Sequence, residues 1–313
     1  MAEIMALVEC DQEQKPRFII EDAQDAIKSI HFHQQQTQHG LLLLRSMLAL
    51  IGAIQRHRGA TMALLGGDKR FEELLPKLQK EIALRIDLLM LEDDAAIPAV
   101  DKDNMLSAWR TIAHNWQDDA VLENFEFHSH LIEYLLRLVR MKGDQYIGSV
   151  NAMAGGHVGE QSILKNITQL NRLVCMSIPD CFELLAKLRG LATHAAACHQ
   201  CDALTKSRID FLLKELGRLA TKLDCQVRDL DSDIQQQLAP GNLLAQAKVK
   251  RDYLTELLSN DIAEGKPVNL DSEMVYRVTS DVIDTYYRFS ESIIRHLEAM
   301  HPKLLDHCLA GIK

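Results

Sequence analysis

Two arginines lie where a helix would be most apolar, and each is followed by glycine. Arg58 precedes Gly59, and Arg189 precedes Gly190. At helical spacing, the same-face neighbours of both arginines are mainly Ile, Leu, Phe, Met, Ala and Thr. A guanidinium is always charged and costly to bury alone, so each must meet a carboxylate, reach water or bind an incoming anion. Two guanidinium groups approaching from opposite helices could clamp a small planar oxyanion, and nitrate and nitrite fit that geometry.

Two further arginines are candidates for the same site. Arg56 lies along a face of small Ala and Gly residues and could instead extend to solvent, whereas Arg251 has leucines and an alanine at helical spacing. An alternative is that internal carboxylates neutralise the arginines. Asp87, with apolar neighbours, and Asp210 are the candidates for that role. A buried pair of this kind would close the site to anions.

The elements that must position these residues are predicted to be helices. The chain has 313 residues, 47% of them hydrophobic and only 5% aromatic, and no segment alternates as a strand would. We therefore expect an all-α fold of two packed antiparallel helical bundles with long helices. The expected organisation is a polar tail over residues 1–16, the double bundle over 17–268, and a C-terminal segment over 269–313. The helix of that last segment would pack on the bundle or dock a partner.

Several helix limits can be predicted from local signals. A helical pattern covers about residues 18–65, although the Gln-rich stretch 31–40 could divide it into two helices. Asp103 is the expected N-cap of a later helix. The Gly-containing stretch 143–159 indicates a tighter connection or two short helical pieces, and a last helix is expected over about 272–300.

An internal repeat relates the two arginine motifs. Residues 55–59 line up with 186–190, and residues 85–89 line up with 208–212, in the same order along the chain. Two bundles built from related halves, meeting at a shared interface, are the simplest explanation. Chance matching of such short strings is the alternative.

Composition and motifs argue against several classes of function. The net charge is −9, with no basic stripe of the kind that follows a phosphate backbone, so no direct nucleic-acid binding is expected. The N-terminus lacks a secretory signal, and the most apolar run, 41–54, contains Arg45 and is short for a membrane span, which favours a cytoplasmic protein without a membrane segment. Phosphate loops, nucleophile elbows and paired catalytic carboxylates are missing, so we do not expect an enzyme.

The cysteines leave one alternative open. There are seven, an odd number, and in a chain without an export signal they are expected to be reduced and mostly part of the core. Cys198 and Cys201 form a CxxC motif, with His194 near the same helical face. A metal or redox sensor would need a further ligand, such as Cys175 or Cys181. Core cysteines are the default, with no metal and no cofactor.

Four short motifs carry a resemblance to a known family. Ile54–Gly59 resembles the leucine-glutamine-x-glutamate-arginine-glycine signature of the nitrate- and nitrite-sensing (NIT) domain family, and Leu188–Leu191 resembles its second arginine motif. Arg85–Asp87 resembles the family's following arginine/aspartate helix, and Phe125–Leu136 its next core helix. The likeness covers roughly residues 20–260.

The resemblance implies an all-helical double bundle that binds nitrate or nitrite between its halves through arginines. On this chain that role falls on Arg58 and Arg189, with Arg56 as a near neighbour. His57 and Leu188 replace the glutamate that usually precedes each arginine, which leaves the identity of the ligand open. NIT domains usually precede an output module, and none is recognisable here. The expected function is therefore a signal-input protein that reports to a separate partner, with a homodimer possible and a ligand-free scaffold or adaptor as the competing class.

Overall fold

The computed structural model describes residues 14–310 apart from 115, 155–160, 239–241 and 264, and describes side chains from residue 24 onward. Its regular structure is helical, and no strand is formed within these residues, which confirms the all-α prediction. The helices are α1 (Gln14–Leu65), α2 (Leu74–Met90), α3 (Ala99–Ala113), α4 (Val121–Ala154), α5 (Gln161–Arg172), α6 (Ile178–Ala197), α7 (Ala203–Arg228), α8 (Ser232–Leu238), α9 (Leu243–Asp261) and α10 (Ser272–Ala310). A π-helical turn, Leu173–Ser177, joins α5 to α6.

Eight of the ten helices in the described residues pack as two groups of four. In the first bundle, α1 packs against α2 and α4, and α3 closes the group by contacting both α2 and α4. In the second bundle, α6 and α10 pack together, α7 lies against α6, and α9 lies against α7 and α10. The two bundles meet where α1 packs against α6 and α10. The C-terminal helix is therefore an integral member of the second bundle.

The two helices that carry the arginine-glycine motifs run side by side in the same direction. Gln55 of α1 contacts Glu183 of α6, and near the ends of the same helices Gly66 lies against Ala197. α4 runs antiparallel to α1, and α10 runs antiparallel to α6. The second repeated motif lies on α2 in the first half and on α7 in the second, so the repeat in the sequence corresponds to the pairs α1–α2 and α6–α7.

α1 is one continuous helix, so the predicted division at residues 31–40 is wrong. Glutamine is a good helix former, and the stretch buries Thr37 without needing a turn. α1 ends at Gly66 and Gly67, where Gly67 has a φ of +98° and Asp68 donates its backbone N–H to the carbonyl of Ala63. Of the predicted polar tail, residues 14–16 begin α1, and residues 1–13 lie outside the described chain.

Three other predicted limits are corrected by the structure. Asp103 lies inside α3, which begins directly after Pro98, because proline has no N–H to lose at a helix start. α4 continues through the predicted break at Gly143 to Ala154, and the remainder of the 143–159 stretch lies outside the described residues. α10 continues past Pro302 to Ala310, where burial of His301 and Leu304 holds the added turns on the core.

A single hydrophobic core runs through both bundles, and a smaller cluster lies between the end of α1 and α2. One helical stretch, Gln24–Leu65, is long and apolar enough to cross a membrane by length and composition alone. However, 61% of its most apolar window is buried against the rest of the protein. A helix at the centre of a packed core has the same composition.

Candidate functional site

The structure brings the two arginine-glycine motifs together at the junction of the bundles. Arg58 and Arg189 are the largest of the fully buried side chains, with exposed fractions of 0% and 1%. The glycine after Arg58 allows close approach of a neighbouring helix, whereas the space at Gly190 would also admit a Cβ atom in ordinary van der Waals contact. A Cβ atom on Gly59 would lie 3.0 Å from Arg189 Nε, and one on Gly190 would lie 3.5 Å from the ring of Phe125. The repeat in the sequence therefore builds one shared interior site.

Arg58 is neutralised by an internal carboxylate. Its Nη1 and Nη2 atoms donate to Oε1 and Oε2 of Glu183 at 2.8 and 3.2 Å. Glu183 also accepts from Gln55 Nε2 at 2.7 Å, and Lys187 Nζ lies 4.0 Å away. Both charges are removed from water, so each depends on the other for compensation. Arg58 is thus neutralised by an internal carboxylate, as the scaffold alternative requires. The carboxylate is that of a glutamate that the sequence did not indicate.

The other contacts of Arg58 come from α4. Its Nη1 also donates to Ser129 Oγ at 2.9 Å, and Ser129 Oγ donates to the carbonyl of Phe125 at 2.7 Å. The guanidinium carbon lies 5.2 Å from the centroid of the Phe125 ring. An aromatic residue and a serine four positions later therefore hold the guanidinium against α4.

Arg189 has the same set of contacts from α10. Its Nη1 donates to Ser280 Oγ at 2.8 Å, and Ser280 Oγ donates to the carbonyl of Tyr276 at 2.7 Å. The guanidinium carbon lies 4.9 Å from the centroid of the Tyr276 ring. Ser280 and Tyr276 thus correspond to Ser129 and Phe125. The two halves of the site are related by an approximate twofold symmetry that the sequence repeat only partly revealed.

The symmetry fails at the counterion. Arg189 forms no ion pair within the described residues, and its buried Nε and Nη2 atoms have no acceptor there. Burial lowers the pKa of this guanidinium, and the nearby charge of Arg58 lowers it further. Tyr276 and the exposed Asp284 act in the opposite direction. Nε and Nη2 lie on one edge of the guanidinium, and that edge binds planar oxyanions through two parallel hydrogen bonds. One complete oxyanion-binding edge is therefore buried without an acceptor.

The reason for this asymmetry is a glycine. Glu183 lies six residues before Arg189, and the residue six before Arg58 is Gly52. Gly52 offers no carboxylate to Arg189, and a Cβ atom there would lie 3.1 Å from the ring of Tyr287. Tyr287 therefore fills the space where a second glutamate would need to lie.

The other two predicted arginines have different surroundings. Arg56 is half-exposed and its Nη2 pairs with Glu81 Oε1 at 2.9 Å, a carboxylate that Arg85 also contacts at 2.8 Å. Its side chain is near the site but already paired. Arg251 lies on α9, pairs with Asp252 at 3.0 Å and lies near Tyr286. The structure does not bring Arg251 into contact with the partners of Arg58 or Arg189, so it does not belong to this site.

The predicted internal counterions are wrong. Asp87 is exposed because α2 buries the opposite face, which carries Ile82, Ile86 and Leu89. Asp210 is also exposed and pairs with Lys206 on its own helix. Neither contributes a negative charge to the interior.

A pair of neutral histidines lies beside Arg58. His128 Nδ1 lies 2.7 Å from the carbonyl of Asn124, and His128 Nε2 lies 2.8 Å from His57 Nδ1. Because a carbonyl only accepts, His128 carries its proton on Nδ1, and His57 Nδ1 donates to His128 Nε2. Burial lowers the pKa of His57 to about 3 and that of His128 well below its ordinary value. His57 therefore brings no charge to the site.

The cysteine motif lies at a separate place, in a cleft of about 460 Å³ beside the end of α6. Cys198 Sγ lies 3.6 Å from His194 Nε2, and burial raises the pKa of the thiol while lowering that of the imidazole. The two groups therefore do not form a thiolate–imidazolium pair. Across the described residues, no group of three or more His, Cys, Asp or Glu side chains is arranged to hold a metal ion.

No protein-family model matches the chain, and no curated protein or solved structure is significantly similar to it. The class is therefore defined by fold and site: an all-α double bundle with two buried arginines at its junction, one of them unpaired among the described residues.

Proposed function

We propose that this protein is a sensor that binds a small planar monoanion, nitrate or nitrite, between its two helical bundles. The observation that carries the proposal is the buried edge of Arg189, whose Nε and Nη2 atoms have no acceptor in the described chain. Keeping such a charge in the interior is costly unless an anion compensates it. The resemblance of the arginine motifs to the NIT family points to the same ligands.

The chemistry of the site favours an anion that only accepts hydrogen bonds. Arg189 offers donors alone, and the Tyr276 hydroxyl already donates to the carbonyl of Arg56 at 3.2 Å. Nitrate and nitrite are planar and can accept from both N–H groups of one guanidinium edge. A protonated or bulky oxyanion would place an unmatched donor or extra atoms near the tightly packed Gly59 and Tyr276.

Binding at this position would couple the two bundles. Arg189 belongs to α6 of the second bundle, whereas Gly59, which faces its Nε, belongs to α1 of the first. An anion bound to the free edge of Arg189, beside α1, favours the arrangement of the bundles in which it is best compensated, and that difference in affinity drives a switch. In this proposal, the cytoplasmic sensor reports the change to a separate output protein, either as a monomer or as a homodimer.

A ligand-free helical scaffold is the second candidate, and the pairing of Arg58 with Glu183 favours it. The two charges of that pair neutralise each other within the protein, so the pair needs no ligand, although Arg58 Nε has no acceptor among the described residues. Arg189 is the residue that distinguishes the two candidates, because a scaffold gains nothing from an unpaired buried charge.

Thermal unfolding in a buffer without small inorganic anions tests the proposal. Nitrate or nitrite should raise the midpoint of the wild-type protein, because a ligand of the native state stabilises it by mass action. Arg189→Gln should abolish the shift. Arg251→Gln, which changes a partly buried arginine outside the site, is the matched control and should retain it. A wild-type protein that shows no shift with either anion would leave the scaffold as the better explanation.

A further inference from the structure

The carboxylate of Glu183 binds Arg58 in the same geometry in which a free oxyanion binds a guanidinium. Its two oxygens accept from two different nitrogens of one edge, at 2.8 and 3.2 Å. The carboxylate is planar, monovalent and only accepts hydrogen bonds, as nitrate and nitrite do. The chain itself therefore fills the Nη1–Nη2 edge of Arg58, whereas at Arg189 the Nε–Nη2 edge has no acceptor among the described residues.

A free anion cannot readily displace this carboxylate. Glu183 is tethered to α6, so it competes at a high effective concentration. It also accepts from Gln55, and that bond would be lost with it. A carboxylate displaced into this interior would be buried without its arginine, which is strongly unfavourable. Arg58 is thus unable to serve as the second half of a clamp.

The charges at the junction leave one positive charge over. Arg58 and Glu183 neutralise each other, His57 and His128 are neutral, and Arg189 remains. A monovalent anion would balance this charge. A dianion would introduce an uncompensated negative charge into an interior where charges are poorly solvated.

We propose that Glu183 is a built-in anion that occupies the Arg58 half of the site, so that the protein binds one monovalent anion at Arg189 alone and rejects dianions. This inference rests on the proposed function, because it concerns the selectivity of the same site. It assigns to Glu183 the role of setting both the number and the charge of the ligands. Glu183 is a specificity-determining residue that need not touch the ligand.

Glu183→Gln tests the inference because it removes the charge and keeps the shape. Titration calorimetry would be performed with nitrate and with sulfate at millimolar concentrations and matched ionic strength. The wild type should bind one nitrate and no sulfate. The variant, with two uncompensated arginines, should bind a second nitrate or acquire sulfate binding. A variant that still binds one nitrate and no sulfate would overturn the inference.

The double variant Arg58→Gln, Glu183→Gln removes both charges and is expected to fold even if Glu183→Gln alone does not. It restores the original net charge, so it should bind one nitrate and reject sulfate, as the wild type does. Loss of nitrate binding in the folded double variant would show that Arg58 is a ligand and would overturn the inference. The proposed function has a separate test: it fails if the wild type binds neither nitrate nor nitrite, whatever the variants do.

Discussion

Replacing the two buried arginines by methionine, one at a time, should have unequal consequences for stability, although the two occupy equivalent positions. Arg58→Met leaves Glu183 buried, with only Gln55 and a lysine 4.0 Å away as partners. Breaking a buried ion pair by removing one partner costs about 3–5 kcal/mol. Arg189→Met leaves no carboxylate behind, because none pairs with Arg189 in the described chain.

The magnitude for Arg189→Met follows from its contacts. The change removes two unsatisfied buried N–H positions, which cost roughly 1–3 kcal/mol each. It also loses a hydrogen bond to Ser280, worth about 1.5–3 kcal/mol, and a contact with the Tyr276 ring, worth about 0.5–2 kcal/mol. These contributions nearly cancel, so without anion the variant should lie within about 2 kcal/mol of the wild type.

Urea unfolding followed by circular dichroism measures both variants, since urea adds no chloride. In heat, a loss of 3–5 kcal/mol corresponds to a fall in the midpoint of roughly 5–8 °C for a chain of this length. The double variant Arg58→Met, Glu183→Met should recover most of the loss, because a hydrophobic pair replaces the ion pair. Equal destabilisation by Arg58→Met and Arg189→Met would refute the view that only one of the two arginines has an internal counterion.

Two further predictions concern the surroundings of the site. Gly59→Ala would place a Cβ atom 3.0 Å from Arg189 Nε, so it should destabilise the protein by about 1–3 kcal/mol and abolish the nitrate-induced shift. Gly217→Ala, on an open helix face, should instead stabilise it by roughly 0.5–1 kcal/mol in the same urea assay. Burial lowers the pKa of His57 to about 3. The contribution of the neutral imidazole to the free energy of unfolding is therefore complete above pH 6.5 and is lost as the pH falls towards 3. At pH 5 the loss is about 2 kcal/mol. Urea unfolding at pH 7.5 and at pH 5 measures this loss of stability. The loss should be smaller than that of the wild type in His57→Gln and equal to it in the exposed control His114→Gln. A loss equal to that of the wild type in both variants would contradict the description of His57 as a buried neutral histidine.

The sequence was sufficient to predict the helical class, the two bundles and the convergence of the arginine-glycine motifs, because these depend on local preference and repetition. It did not identify Glu183, whose partner Arg58 is 125 positions away and on another helix. One signal was available: Glu183 is the sole acidic residue between Asp180 and Asp202, within a largely apolar stretch. A single carboxylate in such a helix must be compensated from elsewhere in the fold.

Asp87 was misassigned for a different reason. Ala83, Leu84 and Leu91 suggested an apolar environment, yet all three are exposed, and the face of α2 that packs on α1 carries Ile82 instead. Apolar neighbours predict burial only when the direction of the buried face is known. Ser129 and its counterpart on α10 were also missed, because a serine inside a helix has no distinctive pattern until the packing places it beside an arginine.

The π-helical turn between α5 and α6 determines where the helical segment from 161 to 197 tolerates a change in length. A turn of this type holds one residue more than an α-helical turn. The extra residue is accommodated within the turn, so α5 and α6 keep the same rotational alignment about the helix axis. Deleting the exposed Met176 would convert the turn to a regular one and leave that alignment unchanged. A deletion within α6 before Arg189 would instead rotate the preceding segment by about 100° relative to the arginine and separate α5 from α4 and α10. This helical segment can therefore lose one residue without rotating its two ends relative to each other, and only within the π-helical turn.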